Sequence, residues 1–167
     1  VDEQKNINNS TYNGLLGTDT LLMSNIGDVL LLDSSGTDTA SIQNTERIIA
    51  GAGGDIIVMA DDVLTLGNLY IDGGAEGDPL WADIGHDTIN GFDGDDIIDG
   101  GPGNDVISGG NDNDIINGGA GADSLSGDNG VDIHWGDAGD DSMNGGAGND
   151  TLYGGFGNDV MNGGADD

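Results

Sequence analysis

Lysine and arginine are almost missing: Lys5 and Arg47 stand against 32 acidic residues, and the 167-residue chain has a formal net charge of −30. Binding a nucleic-acid backbone or anionic lipid headgroups needs cations that replace counterions, so neither is an expected partner. Cysteine is absent, which excludes disulfides and thiolate metal sites and leaves the compartment unread from redox chemistry. No apolar run approaches the roughly 18 residues of a membrane-spanning helix, so no membrane insertion is expected. No basic-then-apolar leader opens the chain, which starts at Val1 rather than Met; a soluble excerpt of something longer is the expectation. Ile, Val, Leu and Phe make up less than a quarter of the residues, near the border where a highly charged chain cannot offset its ordering entropy. In pure water much of it is expected to be disordered.

What is abundant is glycine, 34 residues, and it recurs with a period of nine. From Ala82 the chain divides without insertion into ADIGHDTIN, GFDGDDIID, GGPGNDVIS, GGNDNDIIN, GGAGADSLS, GDNGVDIHW, GDAGDDSMN, GGAGNDTLY and GGFGNDVMN, ending at Asn162. The sixth position is always Asp: Asp87, Asp96, Asp105, Asp114, Asp123, Asp132, Asp141, Asp150 and Asp159. The eighth is aliphatic or Met in all but one: Ile89, Ile98, Ile107, Ile116, Leu125, Met143, Leu152 and Met161. An upstream copy, AGAGGDIIV from Ala50 to Val58, places Asp55 and Ile57 in the same two positions. A flexible Gly/Asp/Asn linker has no reason to hold an apolar residue at one phase of a period, whereas a packed core has. Collagen is excluded by the period and by the presence of only Pro79 and Pro102.

The Gly/Asp/Asn-rich first six positions favour turns and positive φ, so they read as a turn. The last three suit a very short strand, in which side chains alternate faces, so positions six and eight point the same way. With one turn and one strand per nonamer, two nonamers complete one coil. Stacked coils set the strands of repeats k and k+2 side by side as an all-β parallel solenoid with an aliphatic interior. Neighbouring strands lie about 4.8 Å apart, so the Asp carboxylates stack at that spacing and repel unless a cation lies between them.

Calcium takes oxygen ligands at about 2.3–2.6 Å and fits such a gap. Glycine at positions one, two and four lets backbone carbonyls approach; the candidates are Gly85, Gly94, Gly101, Gly103, Gly110, Gly119, Gly121, Gly130, Gly139, Gly146, Gly148, Gly155 and Gly157. Magnesium fits less well because it demands near-ideal octahedral geometry. Zinc would want His or Cys, and only His86 and His134 exist. Odd repeats align Asp87, Asp105, Asp123, Asp141 and Asp159, and even repeats align Asp96, Asp114, Asp132 and Asp150. Those rows leave about seven complete Ca2+ sites, with Asp55 a further candidate ligand.

The pattern GGxGxDxUx, with U apolar, resembles the calcium-binding repeats-in-toxin (RTX) family. The resemblance covers Ala82 to about Asp167 plus the copy at Ala50. It implies a right-handed parallel β-roll, type I secretion from a Gram-negative bacterium, and folding on extracellular calcium. The parent could then be a toxin, protease, lipase, epimerase, adhesin or surface-layer (S-layer) protein. The expected organisation is an irregular β-rich N-terminal region or cap at 1–49, a degenerate repeat and solenoid entry at 50–81, and the nonapeptide roll at 82–167; the N-terminal part reads as an irregular continuation of the solenoid that closes its end, with a separate small β-domain as the alternative.

Departures from the pattern mark particular residues. Asp112 replaces the position-four Gly of the fourth repeat, and Ala82-Asp83 and Gly91-Phe92 alter the first two, so weaker calcium binding is expected at those loops. His134 stands at an apolar position: it reads as a wedge tolerated in the core or a local rearrangement that exposes it, against a pH switch or an extra ligand. Trp81 is expected to cover the apolar end of the stack. Catalysis has no signature here: HExxH, GxSxG and GxxxxGK[ST] are all missing, and an EF-hand is unsupported because the last Glu is Glu76. An ice-binding solenoid would need outward rows of Thr, which are absent. The chain thus reads as a calcium-dependent structural or binding segment of a secreted or cell-surface protein rather than an enzyme. The alternative is the RTX tail of a secreted hydrolase, protease or epimerase whose chemistry lies elsewhere. Gly163–Asp167 begins a tenth nonamer and leaves it incomplete, so further repeats, a cap or calcium-driven self-association at that end is expected.

Overall fold

The computed structural model describes residues 67–165 continuously and, ahead of them, 11–13, 20–22, 29–31, 41–43, 47–54 and 56–58. Among these residues there is no helix; parallel strands stack as a β-solenoid of about five turns. One sheet has eight strands: Thr20–Leu22, Arg47–Ala52, Tyr70–Ala75, Thr88–Asp93, Val106–Asn111, Ser124–Asn129, Ser142–Ala147 and Val160–Ala165. The facing sheet has seven, each of three residues: Val29–Leu31, Ile56–Val58, Pro79–Trp81, Ile97–Asp99, Ile115–Asn117, Ile133–Trp135 and Thr151–Tyr153. Thr11–Asn13 and Ser41–Gln43 form a separate parallel pair.

The register is the one the period dictates. Ile107 lies beside Ile89 and Leu125, and Ile98 beside Ile116, so each strand pairs with the strand two nonamers away. Position eight then makes one interior row per sheet. Ile48, Ile71, Ile89, Ile107, Leu125 and Met143 form one row, and Ile57, Leu80, Ile98, Ile116 and His134 the other, all nearly or fully buried. The interior is only one side chain deep from each sheet. His134 is therefore a core wedge: it is buried between Ile116 and Leu152, with neither ring nitrogen hydrogen-bonded, and burial lowers its pKa.

Two features differ from the sequence reading. The first concerns strand length, because the long-sheet strands run into positions one to three of the following repeat, as in Gly109–Asn111. The sequence places those residues in a turn, but a parallel ladder needs only backbone groups, and glycine supplies them without a clashing side chain. On the opposite edge position three makes only single bridges, Pro102 to Ala120, Ala138 and Phe156 in succession.

The second concerns Trp81. It does not cover an end of the stack, since it pairs with Val58 on one side and Asp99 on the other and projects from the middle of the short-strand sheet. Upstream of Tyr70 the solenoid continues with longer coils. Tyr70 pairs with Thr88, two nonamers on, but the chain between Arg47 and its partner Tyr70 is longer, and that between Thr20 and its partner Arg47 longer again. Asp55, Asp166 and Asp167 lie outside the described residues.

A core one side chain deep has little room to relax, so truncation in mid-row leaves a cavity. Ile107→Ala should lower stability in saturating calcium by about 2–5 kcal/mol, whereas Val106→Ala, at a position 53% exposed, should change it by no more than about 0.5 kcal/mol. Thermal unfolding of the two variants compares them directly; equal effects would mean that the interior row does not hold the coil together.

Candidate metal sites

The position-six aspartates sit where each turn hands over to a strand, and their carboxyls turn inward. Asp87, Asp96, Asp105, Asp114, Asp123, Asp132 and Asp141 are all at most 2% exposed. In each, Oδ1 accepts a backbone N–H from the coil before: Leu69 donates to Asp87, Asp87 to Asp105, Asp105 to Asp123 and Asp123 to Asp141, at 2.7–2.9 Å. Asp96, Asp114 and Asp132 do the same in the other row. Asp150 and Asp159 accept from Asp132 and Asp141 at 3.0 Å. One carboxylate oxygen is thus a rivet between coils, a role the spacing alone does not reveal.

The second oxygen has no such partner. Oδ2 of Asp87, Asp96, Asp105, Asp114, Asp123, Asp132 and Asp141 is buried and accepts no hydrogen bond. Its surroundings supply further acceptors. A Cβ built on the position-one residue Gly100 would meet Asp105 Oδ2 at 2.7 Å and the Gly118 carbonyl at 2.8 Å, so carboxylate and carbonyl oxygens converge where a side chain would be. The same pairing of Oδ2 with a position-one carbonyl recurs at Gly91, Gly127 and Gly136.

The position-two and position-four glycines form a second set. Gly121, at φ 141°, passes so close to the Gly103 carbonyl that any Cβ would collide with it. Gly139 and Gly157 continue that column, as Gly130 and Gly148 do in the even repeats. Glycine suits these positions because the backbones of successive turns are in contact. The position-two residues Gly101, Gly110, Gly119, Gly146 and Gly155 likewise lie against the carbonyl of the residue one coil earlier. Gly85 and Gly94 stack on Gly67 and on Glu76-Gly77. At Asp112 the glycine is replaced, yet the backbone keeps the left-handed course, φ 78°.

Buried oxygen acceptors without donors leave each site short of positive charge. Among the described residues no three His, Asp or Glu side chains gather at one point. A cation would therefore draw on at most two carboxylates and complete its shell from carbonyls. An all-oxygen set of that kind suits calcium, with six to eight ligands and tolerant geometry, better than magnesium or zinc.

The visible spacing starts the repeats at Ala82, and the structure reaches further back. Asp78 lies one coil before Asp96, is 1% exposed, and donates its backbone N–H to Asp96 Oδ1. Gly73 to Trp81 is an in-register nonamer, GGAEGDPLW, with Asp78 sixth and the buried Leu80 eighth. Glu76, held at φ 77° in the position-four place, disguises it. The nonamer before that puts Leu69 in the sixth position, so no position-six carboxylate stands above Asp87.

Burial is the main cause of shifted acidity. Desolvation pushes the carboxyl of Asp87 up to about 6, Asp96 and Asp105 up to about 7, and Asp114 up to about 8, from 3.8. The backbone N–H bonds pull the other way, and neighbouring carboxylates add to the rise. Asp123, Asp132 and Asp141 are raised for the same first reason. A carboxyl with a higher pKa in the folded chain stabilises the fold fully below its unfolded pKa, and that contribution is lost as pH rises through the folded value. In chelator, circular dichroism should therefore find more β-structure near about pH 5 than near about pH 8.5, with the loss centred at about 6–8. The reverse order would mean that these carboxyls are not buried when ion-free.

Comparison with known proteins agrees with this geometry. No curated protein matches the chain. The model of the RTX calcium-binding nonapeptide repeat, in four copies, matches residues 72–107, 99–133 and 135–167. Those matches take in more than half of the chain and reach back over the nonamer that holds Asp78. On that agreement of family pattern, coil register and inward carboxylates, the chain belongs to the RTX calcium-binding nonapeptide-repeat family.

Proposed function

We propose that the chain is the calcium-ordered segment of a secreted or cell-surface protein, kept loose inside the cell and locked into its roll by calcium outside. The observation that supports this most directly is the row of buried, unbonded Oδ2 atoms: closing the coils without a cation gathers uncompensated charge, and the ion removes that penalty. Asp87, Asp96, Asp105, Asp114, Asp123, Asp132, Asp141, Asp150 and Asp159 supply the carboxylates, and the position-one, -two and -four carbonyls complete each shell. With Asp78 standing over Asp96, the two rows have eight inter-Asp gaps instead of the seven counted from Ala82. Residues 82–167 form the regular roll, 50–81 its degenerate entry, and 1–49 an irregular region ahead of it.

Calcium in such a site binds the folded state only, so its binding energy is folding energy. Extracellular calcium modules have dissociation constants of about 10⁻⁴ to 10⁻³ M, a range that leaves the chain unfolded at cytosolic calcium and folded outside. The roll is then a structural element, and any catalysis of the parent protein belongs to other parts of it. At neutral pH and above, circular dichroism should lose its β-signal in excess chelator and regain it on adding calcium; a spectrum indifferent to chelator would rule the mechanism out.

The sites should also be unequal. Asp123 lies between the carboxylates of Asp105 and Asp141, whereas Asp87 has only Asp105 as a carboxylate neighbour in its row, with Leu69 above. Asp123→Ala removes a ligand from two adjoining sites and Asp87→Ala from one. The calcium midpoint for folding should therefore rise more for Asp123→Ala, and matching small rises would argue against bridging carboxylates.

A further inference from the structure

The outer face of the long-strand sheet has a notch whose lining side chains the calcium rows do not use. On the central strand Val106–Asn111, Gly110 is flanked in register by Phe92 on one neighbouring strand and Asp128 on the other. At about 4.8 Å per strand, their backbones stand roughly 10 Å apart with no side chain between them. The result is a depression of about 390 Å³ with an aromatic wall and a carboxylate wall. Both walls occupy position two, where five of the other repeats have glycine, and both hold the left-handed backbone, φ 84° at Phe92 and 70° at Asp128. For phenylalanine that conformation is unfavourable, and its ring is 49% exposed. Neither core packing nor the calcium rows explains such a residue.

Hydrogen bonding around the notch leaves it rich in acceptors. Ser108 and Ser126 both donate to Asp128 and fix its carboxylate in place. Asn111 Nδ2 donates to Asp93 Oδ1, and Asn129 Nδ2 to Asn111 Oδ1. Asp93 Oδ2 and Asn129 Oδ1 are left to accept from outside. A fitting group is flat, positively charged and rich in donors, which describes a guanidinium: it stacks on an aromatic face and bonds a carboxylate along its edge. Among the described residues that line the notch there is no lysine or arginine. We propose that the notch between Phe92 and Asp128 docks an arginine side chain of a partner polypeptide, the guanidinium lying on the Phe92 ring and donating to Asp128.

The test is a ¹H–¹⁵N titration of the full chain in saturating calcium at physiological salt, with N-acetyl-arginine amide as probe. Its neutral isostere N-acetyl-citrulline amide and N-acetyl-lysine amide are run beside it. Arginine should shift the amides around Phe92, Gly110, Asn111 and Asp128 and bind more tightly than either control. Phe92→Gly and Asp128→Gly restore the usual repeat residue and so preserve the fold, which the calcium midpoint by circular dichroism checks separately. Binding should weaken about threefold in the first and about tenfold in the second. Absence of binding, equal binding of citrulline or lysine amide, or shifts scattered over the acidic surface and unchanged in both variants would each overturn the proposal.

Discussion

Everything in this solenoid turns on an aspartate that is buried before it is neutralised. Its Oδ1 ties the coil to the one before by accepting a backbone N–H, and this bond holds the carboxyl in place while the turn closes over it. Closure then leaves Oδ2 facing carbonyl oxygens with no donor in reach. A buried acceptor without a partner costs about 1–3 kcal/mol, and more when it is charged. The same residue therefore builds the fold and opposes it, and a proton or a cation decides which effect wins.

Glycine is what makes that arrangement possible. At the position-one glycines Oδ2 and a carbonyl occupy the space a Cβ would take, and at the position-four glycines successive turns touch backbone to backbone. Both requirements come from the neighbouring coil, and neither from the local turn alone. Asp112, Asp128 and Asp137 tolerate the left-handed backbone because a short polar side chain can hydrogen-bond locally, and none of them stands at position one.

The period of nine makes the coil length, the register, the inward row at position eight and the inward carboxylates legible before any coordinates. These features depend on residue type at fixed phase, which a sequence displays directly. What escapes depends on backbone groups, which every residue shares. The N–H of Asp105 reaching Asp123, and the pairing of Gly109–Asn111 into the ladder, have no signature in side chains. The nonamer from Gly73 to Trp81 escapes for another reason: Glu76 breaks the strongest visual cue while Gly73, Gly74, Asp78 and Leu80 keep the pattern. Trp81 is misplaced as a consequence, because an end cap is sought where the stack in fact continues.

The shallow core sets the order in which these interactions act. Each coil adds two interior side chains, so apolar burial grows slowly along the stack, and the ordering entropy of two whole nonamers accompanies every step. Each new coil, however, also brings a carboxylate under the one before it and completes a gap between them. Because an Asp in mid-row borders two gaps, a cation in one would fix a proposed ligand of the next, and the backbone rivet links the same coils. Solenoids of this kind behave as one-dimensional arrays of repeats stabilised by nearest neighbours. On the proposed function the nearest-neighbour term contains the cation itself, so calcium would act between coils and order the stack from one coil to the next.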